Sequence, residues 1–304
     1  MTFTLTILGS NSAAPAYNRH PTSQLLHIQQ EYFLIDCGEA TQMQLNRYKI
    51  RFTKINHIFI SHLHGDHYLG LVGLLSTMHL NKRTDDLFLY GPGGLVDILS
   101  LQFKYSDTRL NYRIRFRELS QQRELIYQND NTTVETIPLN HRIQCTGFLF
   151  REKPKKRRIN KDVLPDNLSL QQIIALKKGE DLYNRQGERL FKNEDLTLPP
   201  KKSRSYAYCS DTKYQECLIP QLQDVDLLYH ESTFLEKEAE RAAETFHSTA
   251  AQAASIAHQA GVQKLLLGHF SSRYKDLSPF LEEARQHFQE SYLAIEGEEF
   301  TIDE

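Results

Sequence analysis

Paired cysteines are missing. The four thiols, Cys37, Cys145, Cys209 and Cys217, never fall in a C-x-x-C spacing. That excludes a thiolate zinc ribbon, and in a reducing compartment they read as buried thiols. Long apolar runs are missing too: none approaches the roughly 20 residues that cross a bilayer. The opening MTFTLTILG has neither a basic flank nor an apolar stretch of signal-peptide length. It predicts a strand, and with it a cytoplasmic chain without a membrane partner. There is no internal repeat and no low-complexity tract. Gly91-Pro92-Gly93-Gly94 matches neither G-x-G-x-x-G nor a Walker pattern, so it reads as a turn. Finally, there is no excess of positive charge. With 36 basic and 38 acidic residues the chain carries −2, which by itself argues against a nucleic-acid partner.

What is present is unevenly distributed. Residues 151–204 hold 15 Lys/Arg and 8 Asp/Glu, leaving 21 and 30 for the rest. An acidic body with one basic segment points to a polyanionic partner. That segment opens on Arg151-Glu152-Lys153-Pro154-Lys155-Lys156-Arg157-Arg158 and closes on Pro199-Pro200-Lys201-Lys202. One short helix, 169–178, fits inside it, and its apolar residues are too few for a core of its own. It reads as an arm inserted into a body made of residues 1–150 and 205–304. In the body, strand-like runs recur at 3–8, 24–28, 32–35, 57–60, 87–90, 133–139, 206–209, 226–229 and 264–267. Helical spacing marks 69–80 and 250–260, the latter closed by Gly261. The mixture predicts an α/β fold of stacked layers.

The strongest local signal is Ser61-His62-Leu63-His64-Gly65-Asp66-His67, directly after an apolar run. Alternate side chains at a strand exit point the same way, so His62 and His64 can reach one cation. A bend at Gly65 brings Asp66 and His67 to a neighbouring position. Each half-shell is incomplete, since zinc takes about four ligands. Three other apolar runs end on a ligand-type residue: His141, Asp211 and His269. Taken singly, either histidine also fits a hydrogen-bonded structural role, and Asp211 fits a turn or helix cap. A carboxylate can bridge two cations, which makes Asp211 the natural shared ligand. Imidazole and carboxylate donors suit zinc, with manganese or iron as competitors.

These residues carry a family resemblance. H-x-H-x-D-H is the signature of the metallo-β-lactamase superfamily. More specific are Asp36-Cys37-Gly38-Glu39-Ala40-Thr41-Gln42, Ser210-Asp211-Thr212, His230-Glu231-Ser232-Thr233, His247-Ser248-Thr249 and Gly268-His269-Phe270-Ser271-Ser272-Arg273-Tyr274. In this set and order the chain resembles ribonuclease Z, the tRNA 3′-processing endonuclease family. The resemblance implies an αββα sandwich with two zinc ions at one edge between the sheets. His62, His64 and His141 would hold one ion and Asp66, His67 and His269 the other, with Asp211 bridging. His57, His79 and His258 match no ligand motif. The sequence departs from the family in the arm, where Asn167–Gln172 replaces a Gly-Pro-rich stretch while Lys177-Lys178-Gly179-Glu180 remains.

The implied reaction is removal of the 3′ trailer from precursor tRNA, leaving a 3′-hydroxyl on the tRNA and a 5′-phosphate on the trailer. Asp66 would accept the proton of the attacking water. His247, as an imidazole suited to proton transfer near neutrality, would protonate the leaving oxygen, with Glu231 orienting it. Lys155, Lys156, Arg157, Arg158, Lys177, Lys178 and Arg273 would contact phosphates, and the family works as a homodimer. Two rival readings stand beside this one. A small-molecule phosphodiesterase or other hydrolase on the same scaffold would need the metal set without the arm. A non-catalytic RNA-binding protein would have lost ligands, and all seven are present.

Overall fold

Alternation shapes the first strand. In Phe3–Gly9, Phe3, Leu5 and Ile7 turn to one side and bury completely, while Leu8 joins a different cluster behind them. Leu227–Glu231 is instead buried at every position, as a parallel strand covered on both faces must be. The computed structural model, which describes residues 2–303, builds two seven-stranded sheets from such pieces.

The first sheet runs Glu299–Thr301, Phe3–Gly9, Ser23–Ile28, Glu31–Ile35, Ile55–Phe59, Leu87–Gly91, Ile114–Glu118. Its first four strands pair antiparallel and the last four parallel. The second sheet runs Ser291–Leu293, Lys264–Gly268, Leu227–Glu231, Ser205–Cys209, Cys145–Glu152, Thr132–Leu139, Leu125–Gln128. It too is half parallel and half antiparallel.

An aromatic layer fills the space between the sheets. Phe33, Phe59, Phe148, Phe150, Tyr206, Tyr208 and Tyr229 are all fully buried there. The helix Leu71–Leu80 covers the outer face of the first sheet over Ile58 and Ile60. Ala250–Gln259 covers the second over Leu265 and Leu267. The result is the expected αββα sandwich. Alanine at four core positions of Ala250–Gln259 brings that helix close to its sheet. A capping box between Thr249 and Gln252 starts it, and Gly261, at φ 63°, follows its end.

Every strand and helix expected from the sequence is present, with ends within about two residues. Others were not foreseen, including Cys145–Glu152 and the helix Gly94–Tyr105. Cys145–Glu152 is buried along almost its whole length and so shows no alternation.

The strand Cys145–Glu152 leads into the basic insertion and Ser205–Cys209 leads out. The two are antiparallel neighbours, with Arg151 opposite Ser205. The insertion thus leaves and re-enters the sheet at one point. Buried Arg204 closes it, pairing both guanidinium sides with Glu152 at 2.7 and 2.9 Å. Two expectations need correction here. The insertion does have a small core: Leu176, Leu182 and Leu196 bury together. Three short elements supply them, and only folding gathers them. Cys217 is exposed rather than buried, because it lies on the surface 3-10 turn Glu216–Gln221.

Candidate metal centre and its surroundings

Strand ends deliver the candidate ligands to one edge of the sandwich. His62–His67 follow Ile55–Phe59, His141 follows Thr132–Leu139, Asp211 follows Ser205–Cys209 and His269 follows Lys264–Gly268. A helical turn, Gly65–Tyr68, makes the reversal after His64. Asp36, Asp211 and His269 adopt left-handed backbone, with φ of 55°, 39° and 58°. Such positions cost about 1–3 kcal/mol each and concentrate at functional sites. Gly38 allows the Asp36 loop to touch the histidine turn, since a Cβ there would stand 2.4 Å from the Asp66 carbonyl oxygen.

Two donor groups result. In the first, His62 Nε2 and His141 Nε2 lie 3.0 and 3.1 Å from His64 Nδ1. Asp211 Oδ2 is 3.4 Å from His62 and 3.6 Å from His141. In the second, His67 Nε2 and His269 Nε2 are 3.3 Å apart, and Asp66 Oδ2 is 3.5 and 3.4 Å from them. Asp211 Oδ1 completes it at 3.3 and 3.0 Å. Asp211 therefore offers one oxygen to each group. A tetrahedral ion with arms of about 2.0–2.1 Å requires ligand–ligand edges of about 3.3–3.4 Å, and the distances here, 3.0 to 3.6 Å, bracket that value.

The hydrogen bonds behind the ligands fix which nitrogens face inward. The Asp36 carboxylate only accepts, so His67 Nδ1–H donates to it at 2.7 Å and Ser61 Oγ–H at 2.8 Å. Ser61 Oγ then accepts from His62 Nδ1 at 3.0 Å. His141 Nδ1 donates to the Phe246 carbonyl at 3.1 Å. Thr233 Oγ1 donates to Glu231 at 2.7 Å and accepts from His269 Nδ1 at 2.9 Å. Four imidazoles thus keep Nε2 for the inside. Lone pairs held this close without a proton or cation between them repel one another. The donor set therefore fits a pair of divalent cations.

Charge agrees with this. Burial, reinforced by a neighbouring imidazole, holds His62 and His64 below the usual histidine range, and burial takes His141 to about 4. A low pKa favours the neutral imidazole, the form that can donate to a cation. Burial also opposes charge on His67 and His269, but the surrounding carboxylates, Asp211 foremost and then Asp66, together outweigh it, pushing His67 up and His269 to about 10. Those two carry protons that a cation would displace.

His247 stands beside the centre. Its Nδ1 donates to Glu231 Oε1 at 2.8 Å, and the remaining Glu231 acceptors take Thr212 N–H, Thr233 N–H and the Thr233 hydroxyl. Burial lowers the His247 pKa, yet the Glu231 carboxylate raises it above the usual value overall. His64, Asp66, Asp211, His247 and His269 all line one cleft of about 340 Å³, with Glu39 and Arg142 on its wall. Arg273 is exposed four residues past His269 and does not line it. Asp36, Thr233 and Arg142 escaped the sequence reading as site residues. Asp36 and Thr233 lay inside quoted motifs, where a polar residue at or near a strand end was the available signal.

The basic residues of the insertion gather elsewhere. Lys155, Lys156, Arg157, Arg158 and Lys177 line a groove of about 770 Å³ with the turns at Gln29 and Asp130–Asn131. Lys178 is exposed beside it. Those turns sit at the opposite strand ends from Asp36 and His141. The groove therefore lies about 25 Å from the metal centre, one strand length of eight residues. Part of the charge is already engaged: Lys155 pairs with Glu152 at 2.9 Å, and Arg157 and Arg158 donate to Thr197 and the Pro199 carbonyl.

Comparison with known proteins gives this geometry a family. A family model described as Anti-Pycsar protein Apyc1 matches residues 3–174. Ribonuclease Z of Cytophaga hutchinsonii is 52% identical over 99% of this chain and 97% of its own. That of Bacteroides fragilis is 45% identical over 97% of each. Among solved structures, the short form of human tRNase Z superposes with a TM-score of 0.72 and 26% identity, covering 99% of this chain and 100% of its own. With such identity end to end, the chain belongs to the ribonuclease Z family, and over residues 3–174 also to the family of the Apyc1 model.

Proposed function

We propose that the chain is a zinc-dependent endoribonuclease that removes the 3′ trailer of precursor tRNA, working in the cytoplasm as a homodimer. The observation that carries this is the pair of donor groups sharing Asp211, set in a cleft beside a histidine hydrogen-bonded to the buried Glu231 carboxylate. His62, His64, His141 and Asp211 would hold one zinc ion, and Asp66, His67, His269 and Asp211 would hold the second. Manganese or iron would meet the same nitrogen and oxygen donors. When bound, such ions supply Lewis-acid charge for a phosphate and lower the pKa of water.

The residues do the rest. Asp66, held by the Ala13 N–H at 2.7 Å, accepts the proton of the attacking water. His247, kept protonated by Glu231, gives its Nε2 proton to the departing ribose 3′-oxygen, which leaves a 3′-hydroxyl on the tRNA and the phosphate on the trailer. The body 1–150 with 205–304 carries out this chemistry, and the arm 151–204 binds tRNA through Lys155, Lys156, Arg157, Arg158, Lys177 and Lys178. Arg273 adds a phosphate contact outside the cleft. The separation of the arm groove from the cleft supports a dimer in which one subunit's arm holds the RNA that its partner cuts. A phosphodiesterase of small molecules would use the same cleft but leave the basic arm without a task.

The test is incubation of a labelled tRNA precursor with and without chelator, mapping the cut at nucleotide resolution. Chelator-sensitive cleavage at the trailer junction is expected; cleavage that survives complete metal removal would sink the reading.

A further inference from the structure

We propose that Arg142 grips the RNA backbone beside the scissile phosphate and sets affinity for the strand entering the cleft. This rests on the endoribonuclease reading above.

The charge of the cleft is uneven. Its wall carries the carboxylates Glu39, Asp66 and Asp211, and Arg142 is the one Lys or Arg lining it among the described residues. Asp66 and Asp211 face the donor groups, where cations would neutralise them. Glu39 is an exposed carboxylate on the wall, outside both donor groups. An RNA strand carries a phosphate at every nucleotide, so the phosphates flanking the cut need their own counter-charge. Glu39 repels them, and Arg142 is the one Lys or Arg on the wall, among the described residues, that attracts them.

The position of Arg142 is well defined. It follows His141, whose ring is tied by Nδ1 to the Phe246 carbonyl and by position to His64 and Asp211. The Arg142 side chain is exposed and makes no hydrogen bond or ion pair among the described residues. An arginine packed for stability would have partners; this one lines the cleft with its guanidinium unengaged. A guanidinium suits phosphate oxygens because its fork matches their geometry. Most contacts between a protein and a nucleic-acid strand are of this backbone kind. The groove of the same chain's insertion does not supply it, being a strand length away.

The experiment compares Arg142→Ala and Arg142→Lys with the parent, each full-length and zinc-loaded. Substrates are precursor tRNA and bis(p-nitrophenyl) phosphate, a diester without neighbouring phosphates. For Arg142→Ala the tRNA-to-diester ratio of kcat/KM is expected to fall about tenfold, mainly through KM for tRNA. The slope of log KM against log salt should drop by about one, as for one lost phosphate contact. Arg142→Lys should recover much of the ratio. Zinc content and melting temperature are read alongside and should match the parent. An unchanged ratio and slope would make Arg142 an ordinary solvated side chain. Equal loss on both substrates, or lost zinc, would place its action at His141 instead; either result overturns the proposal. If the parent itself fails to cut precursor tRNA, the endoribonuclease reading fails first.

Discussion

Asp36 governs more of the site than a residue outside both donor groups would be expected to. Its two oxygens take four donors: Ser61 N–H, Ser61 hydroxyl, His67 Nδ1–H and the Tyr208 hydroxyl. Tyr208 comes from the opposite sheet, three residues before Asp211. Its hydroxyl therefore joins the two halves of the donor set through a fully buried hydrogen bond of 2.5 Å. Partners behind a ligand typically alter metal affinity 10–100-fold when removed. Tyr208→Phe should weaken zinc binding by about tenfold or more in chelator competition while the protein stays folded; unaltered affinity would show the bond to be incidental. Glu231 plays the matching part behind His269 and His247. Burial disfavours the His247 charge, and the carboxylate more than offsets it. Glu231→Gln removes that attraction, so the His247 pKa falls. An acid that deprotonates earlier moves the basic limb of the kcat/KM profile to lower pH. A basic limb that stays in place would remove His247 as the proton donor.

At the scale of elements, four strands, Ile55–Phe59, Thr132–Leu139, Ser205–Cys209 and Lys264–Gly268, act as pointers whose exit segments carry the donor residues to the cleft. Helix starts lock the pointers. Thr249 caps Ala250–Gln259, and the neighbouring Ser248 hydroxyl donates to the Thr212 carbonyl at 2.7 Å, tying the His247 loop to the Asp211 loop. Thr249→Ala removes the cap and should cost about 1 kcal/mol, readable by denaturant titration. The insertion is a separate matter. Its ends sit side by side on adjacent strands, and its core is small and local. Deleting residues 155–198 is therefore expected to spare small-diester cleavage and to reduce tRNA cleavage by at least tenfold, with weaker dependence on salt. Equal losses on both substrates would remove the arm from RNA binding. Elements with alternation or clear flanks, such as Phe3–Gly9 and Ala250–Gln259, were legible beforehand. Cys145–Glu152 was not, because a strand covered on both faces presents no period to read.

For the whole molecule, the donor groups are also a stability device. Each brings ligands from both sheets: His62 and His64 from the first meet His141 and Asp211 from the second, and Asp66 and His67 meet His269. A cation bound there holds the sandwich closed at its edge. Free zinc at 100 times its dissociation constant adds about 2.7 kcal/mol for one site. Chelation should lower the melting temperature in calorimetry, and zinc should restore it; an unchanged transition would show that the sheets alone determine closure. No helix among the described residues is long and apolar enough to cross a membrane.

The amino-acid sequence determined the chemistry available: which seven side chains can bind a cation, where the basic charge concentrates, and which runs become strands. These follow from residue type and local spacing. Tertiary structure decided what local spacing cannot encode. It turned Asp36, Asp211 and His269 inward through left-handed backbone and set Tyr208 against Asp36 from the other sheet. It also gathered three leucines into the arm, and it placed Arg142 on the cleft wall with Arg273 outside. Each of these depends on a contact between residues distant in the chain, and such contacts exist only once the two sheets have packed.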